Sequence, residues 1–153
     1  MKSFILSFIF LTLCLLNSQA QGPANCNDPT IHRELVSVNQ AFEPQGFTVN
    51  YFKTFSIGPK EYVPLVLSLK AKTMYQINFI AHPYYKQYSM VLIDKDKKEL
   101  LKLKVKSKDT EGHMSTQSFV APYSGEYYII FRHRTQSKSN ACVGFSVLEA
   151  QNQ

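Results

Sequence analysis

Missing from this sequence are the short signatures that announce the common catalytic chemistries. It holds no G-x-S-x-G nucleophile turn, no H-E-x-x-H zinc helix, no phosphate-cradling Gly-rich loop and no cysteine placed as a nucleophile. No CxxC pair occurs, and the four histidines, His32, His82, His113 and His133, lie too far apart in sequence for short zinc-ligand spacing. Beyond the first twenty residues no apolar run is long enough to cross a bilayer, and no segment shows a helical period. These gaps argue against an enzyme and against a resident metal; no cofactor is expected. A carboxylate pair assembled by the fold is the one catalytic arrangement that sequence alone leaves open.

What is present begins with an address. Lys2 supplies a positive start, and Phe4 to Leu16 is apolar apart from Ser7 and Thr12. That run of 13 residues is too short to span a bilayer, and Ser18-Gln19-Ala20 offers small residues at the positions a signal peptidase reads. Residues 1–20 are therefore expected to be a cleaved signal peptide, and the protein to be exported to the periplasm, the cell surface or the medium. Cys14 lies behind Leu13, which does not suit lipid attachment.

Removing 20 of 153 residues leaves 133, the size of one domain. The expected layout is an irregular lead-in at 21–34, rich in Pro, Asn, Asp and Gly, and a β-domain at 35–150. Removal also takes Cys14 and Lys2 away, leaving a basic chain with two cysteines. Cys26 and Cys142 then form an even pair near opposite ends, and in an oxidising compartment a disulfide follows.

The rest of the chain reads as short strands with alternating apolar residues, separated by turn residues. Candidates are Leu35–Asn39, Thr48–Ile57, Val63–Lys70, Met74–His82, Tyr88–Ile93, Glu99–Lys106, Thr116–Ala121, Glu126–Arg134 and Ala141–Leu148. Met74–His82 turns Tyr75, Ile77, Phe79 and Ala81 to one face, and Gln76 and Asn78 to the other. The short link Ala71-Lys72-Thr73 predicts that this strand forms a hairpin with Val63–Lys70. Glu99–Lys106 alternates Leu101, Leu103 and Val105 with Lys102, Lys104 and Lys106, a pattern suited to a guarded edge strand. About eight short antiparallel strands make an all-β sandwich of jelly-roll type.

The segment Phe119-Val120-Ala121-Pro122-Tyr123-Ser124-Gly125-Glu126-Tyr127-Tyr128-Ile129-Ile130-Phe131 has an aromatic strand end, a turn and an aromatic-rich strand. It resembles the closing portion of bacterial pre-peptidase C-terminal (PPC) domains and, more distantly, GOLD-type sandwiches. Met74-Tyr75-Gln76-Ile77-Asn78-Phe79 followed by Val91-Leu92-Ile93-Asp94 is similar to preceding elements of the same families. The resemblance implies a non-catalytic appendage or adaptor, although no catalytic domain accompanies it in this sequence. Gly125 itself sits where a turn requires φ > 0.

Candidate contact residues fall in two groups. Tyr84, Tyr85, Lys86 and Tyr88 gather flat rings beside a cation in a loop, an arrangement that stacks on sugars or anchors a protein. Lys102, Lys104 and Lys106, with Lys95, Lys97, Lys98 and Lys108, create a positive field that favours an anionic envelope polymer, an acidic lipid surface or an acidic protein. Asp94, Asp96 and Glu99 have a spacing reminiscent of calcium ligation, but the loop lacks the needed glycine and carries Lys95, Lys97 and Lys98. A charged hairpin turn is the expectation there. The functional expectation is an exported, non-catalytic binding or adaptor module for a protein or glycan of the cell envelope, and not for nucleic acid. A structural subunit of an envelope secretion or surface assembly is the first alternative, and a small secreted hydrolase the second.

Overall fold

The computed structural model describes residues 26–82, 87–106, 113–133 and 140–151, with backbone alone at 105 and 106. The expected signal peptide, the loop residues Tyr84, Tyr85 and Lys86, and the Lys106 side chain lie outside the described residues.

Eight strands form two antiparallel four-stranded sheets. They are β1 (Phe47–Ile57), β2 (Tyr62–Leu69), β3 (Met74–Ala81), β4 (Gln87–Ile93), β5 (Glu99–Lys106), β6 (Met114–Val120), β7 (Gly125–His133) and β8 (Ala141–Ala150). The first sheet has the order β1-β8-β3-β6 and the second β2-β7-β4-β5, the interleaved order of a jelly roll. The predicted β2–β3 hairpin does not form. β2 pairs with β7, β3 pairs with β6 and β8, and the link at 70–73 crosses between sheets. Four residues with Lys72 at φ 60° make a turn tight enough for either connection, so link length alone did not choose.

Between the sheets lies one apolar core. Tyr75, Ile77 and Phe79 of β3 meet Met90 and Leu92 of β4 and Ile129 and Phe131 of β7, all fully buried. Ring edges interlock across it: Phe131 lies 4.9 Å from Phe55 and 5.0 Å from Phe145, both in T-shaped geometry.

The outer face of the first sheet is covered over β8, β3 and part of β1 by a helix, α1 (Pro29–Phe42), where a lead-in and a strand at Leu35–Asn39 were expected. The Asp28 carboxylate accepts from the backbone N–H of Thr30 (2.9 Å) and Ile31 (3.4 Å), and Pro29 occupies the first turn. Residues read as loop formers are thus an N-cap and its following proline. Ile31, Leu35, Val38 and Phe42 recur at helical spacing, and Ile31 and Leu35 bury against Ile80 of β3. A single 3₁₀ turn, Glu43–Gln45, and Gly46 at φ 81° turn the chain into β1.

Three devices hold the helix down. The Cys26–Cys142 disulfide forms as expected, with Cα atoms 5.7 Å apart, and ties the chain two residues before the N-cap to the start of β8. Gly144 of β8 lets the helix approach, for a Cβ there would stand 3.0 Å from Ile31 Cγ2 and 3.2 Å from Leu35 Cδ2. A buried polar knot completes the seam: the Asn78 amide N–H donates to Asn39 Oδ1 (3.2 Å), and the Ser146 hydroxyl donates to the same oxygen (2.6 Å).

Candidate binding face

The second sheet carries no helix on its outer face among the described residues, and its register shows what it presents. Residues directly opposite on neighbouring strands point the same way. One row runs Tyr62, Arg132, Ser89, Lys104 across the four strands, and the next runs Pro64, Ile130, Val91, Lys102. A third runs Val66, Tyr128, Ile93, Glu99, and Ser68 with Glu126 ends the face. Apolar groups therefore occupy the middle, where Val66 is 50% exposed, and Tyr62 in the first row is 58% exposed. Cations stand at one end and carboxylates at the other. The Arg132 guanidinium lies 5.1 Å from the Tyr62 ring centroid, a cation–π contact that fixes both at the cationic end.

Lys102 and Lys104 are exposed on edge strand β5, with Leu101 and Leu103 buried behind them. Lys102 Nζ reaches Glu99 Oε2 at 3.4 Å, a solvent-exposed pair that leaves the cation available. Tyr88 stands differently from its expected role as a contact residue. It is 1% exposed, and its ring stacks on the His133 ring at 4.9 Å inside the sandwich. A ring at that depth presents nothing to a partner. Its place in phase with Met90 and Leu92 is the sequence signal that it points inward.

The carboxylate end of the face runs into a depression of about 630 Å³ lined by Lys95, Asp96, Tyr123, Ser124, Gly125, Glu126 and Tyr128. One wall is the β4–β5 turn. Asp94, which is buried, builds it: its carboxylate accepts from the N–H of Asp96 (2.9 Å) and Lys98 (2.8 Å). This carboxylate is thus committed to the turn backbone. The other wall is the β6–β7 turn, where Gly125 sits at φ 148°, a conformation that side chains disfavour, as expected. There the Tyr127 hydroxyl donates to the Tyr123 carbonyl (2.7 Å), and the two rings stack at 5.0 Å. The Tyr128 hydroxyl donates to Glu126 Oε2 (3.1 Å), and this bond to a carboxylate raises the phenol pKa. Tyr123, Tyr128 and Asp96 come from two turns distant in sequence, so no local spacing announced them.

The histidines serve separate contacts. His32 meets the Phe52 ring edge at 5.2 Å, His113 Nε2 lies 2.8 Å from Glu34 Oε2, and His82 lies 3.9 Å from Asp28. Burial holds His133 below the usual imidazole pKa, which keeps it neutral beside Tyr88. Among the described residues no cluster of three His, Cys, Asp or Glu could hold a metal ion, and no helix is long and apolar enough to cross a membrane.

No family model and no curated protein matches the sequence. Solved structures do match in fold. A periplasmic inhibitor of g-type lysozyme from Aeromonas hydrophila is similar at TM-score 0.50 and 12% identity, over 69% of this chain and 89% of that one. The likeness is one of fold. The pre-peptidase C-terminal domain of a Bacillus anthracis collagenase is similar at TM-score 0.49 and 15% identity, over 65% of this chain and 89% of that one.

Proposed function

We propose that this chain is an exported, non-catalytic binding module that holds an acidic envelope protein against the outer face of its second sheet. The observation that carries the proposal is the difference between the centres of the two outer faces: one is covered over β3 and β8 by α1, while the other carries no helix among the described residues and exposes an apolar strip ending in Arg132, Lys102 and Lys104. An apolar centre beside a charged rim is the anatomy of a protein-binding surface. The chain's formal net charge of +6 and the cations of this face favour a partner with carboxylates beside an apolar patch. Export is supported by the apolar N-terminal run and by the Cys26–Cys142 bridge, a bond that persists in oxidising compartments. The lysozyme inhibitor of similar fold, by its description a periplasmic protein that acts on another protein, is a precedent for such use of the scaffold.

The test is site-specific photo-crosslinking in an envelope fraction, with the reactive residue at Val66 on the face or at Ser37 on the exposed side of α1. The expected outcome is one defined adduct from position 66 and none from 37. Its yield should fall about tenfold with Lys102→Glu and Arg132→Glu together, and should fall with rising salt. Equal labelling from both positions, no adduct, or indifference to the charge reversal overturns the proposal.

A further inference from the structure

We infer that the depression at the carboxylate end of the second sheet is a subsite for a neutral saccharide. This goes beyond the proposed protein contact, which uses the apolar strip and the opposite, cationic end of the face.

The charges lining the depression select against charged ligands of either sign. Asp96 and Glu126 stand on its two walls, and an anion would meet both; Lys95 stands there too, and exposed Lys97 and Lys98 follow it on the same turn. A cation would meet the Lys95 ammonium on the same rim. A polyhydroxyl ligand suits a mixed rim, because each hydroxyl both donates and accepts: it can donate to the carboxylates and accept from Lys95. The aromatic component fits the same chemistry. Tyr128 is half-buried beside Val66 and Ile93, and its bond to Glu126 fixes both ring and carboxylate while leaving further lone pairs on that carboxylate. A fixed, partly exposed ring offers a flat apolar surface to the C–H face of a pyranose.

Both walls are held before any ligand arrives, which limits the ordering cost of binding. The β4–β5 turn is closed by the Asp94 carboxylate and by the Lys97 N–H donating to the Asp94 carbonyl at 3.0 Å. In the β6–β7 turn the Ala71 N–H donates to Ser124 Oγ at 2.8 Å, and the stacked Tyr123–Tyr127 pair backs the wall. The Tyr123 hydroxyl is buried in that wall beside the Tyr127 ring. A depression of about 630 Å³ falls within the range of small-ligand sites.

The test is an amide-resolved NMR titration of the full chain. The probes are neutral trimers of N-acetylglucosamine, glucose and mannose, with a galacturonic acid trimer as the anionic arm and a glucosamine trimer as the cationic arm. At least one neutral trimer should shift Asp96, Ser124, Gly125 and Glu126 saturably, with a dissociation constant of about 1 mM or tighter. The charged trimers should bind at least about fivefold more weakly. Tyr128→Leu and Asp96→Asn should each weaken the neutral ligand about tenfold, Tyr128→Phe should retain most of the binding, and the unshifted remainder of each spectrum reports the intact fold. Lys102→Glu should leave the titration unchanged, which separates this subsite from the protein contact. No saturable shift with any neutral trimer, stronger binding of a charged one, or indifference to both Tyr128→Leu and Asp96→Asn overturns the inference.

Discussion

The two sheets share a core and a strand count, yet their outer faces have opposite fates. On the first, Gln76, Asn78 and Ile80 of β3 and Gly144, Ser146 and Leu148 of β8 are buried, because α1 lies over them. On the second, the equivalent outward positions remain partly or fully exposed, as at Val66, Tyr128, Ile130 and Arg132. A strand sealed on both faces loses its alternation, and seven of the eight β3 residues are buried. β4, with one face in the core, alternates throughout. The covered sheet is built for closure, with a glycine for close approach, a polar knot at the seam and a disulfide at the helix entry. The bare sheet has none of these among its described residues and leaves its apolar strip in water, which is where a partner recovers free energy.

The largest break in this contrast should come from the disulfide. Cys26 and Cys142 are 116 residues apart, and in the chain-entropy model closing such a loop stabilises the fold by about 4 to 5 kcal/mol. Cys26→Ser with Cys142→Ser should lower the urea midpoint accordingly. Because the bridge sits at the helix entry, amide exchange should also rise first in α1. Unchanged stability, or exchange rising first in β5, would show that the bridge does not secure the cover.

A smaller effect is expected at Gly144. A valine there brings Cβ to 3.0 Å from Ile31 and projects methyl groups further into the helix, a clash of about 1 to 3 kcal/mol. Ile31→Ala in the same chain should return part of that loss by opening room, so the two substitutions should be non-additive. Additive losses in denaturant titrations would mean that the helix does not press on Gly144.

Much of the sandwich was legible because parity is a strong signal where one face is wet. Leu101 and Leu103 against Lys102 and Lys104, or Tyr127, Ile129 and Phe131 against their neighbours, reported their faces directly. The helix was not legible, since Asp28-Pro29 serves as well for a loop as for a cap, and Val36 and the buried polar Asn39 blur the apolar stripe. The strand assigned to Leu35–Asn39 was the consequence. The β2–β3 connection failed for a topological reason: a jelly roll alternates sheets through links as short as hairpin turns. In the candidate site, Lys102 and Lys104 face solvent as their parity predicts. Tyr88 was grouped with the loop tyrosines by proximity, although its own parity with Met90 and Leu92 pointed inward. The depression holding Tyr123, Tyr128 and Asp96 depends on two turns brought together by the β4–β7 pairing, which no local pattern encodes.

The smallest stability effect should fall on the bare face, and its smallness sharpens the comparison. Val66 is half exposed on edge strand β2, opposite Tyr128, so exchanging it for threonine keeps the β-branched shape and removes only apolar surface that water already touches. Val66→Thr should alter unfolding free energy by less than about 0.5 kcal/mol, as is usual for surface positions free of special contacts. Ile80, at an outward position of the covered sheet, is fully buried against Ile31 and Leu35 of α1, so Ile80→Thr should cost several times more. Equal losses in paired denaturant titrations would mean that the second sheet's outer face is already committed to the fold. Unequal losses in the stated direction leave Val66 as surface that the fold does not need, and its apolar character is then explained by what it binds.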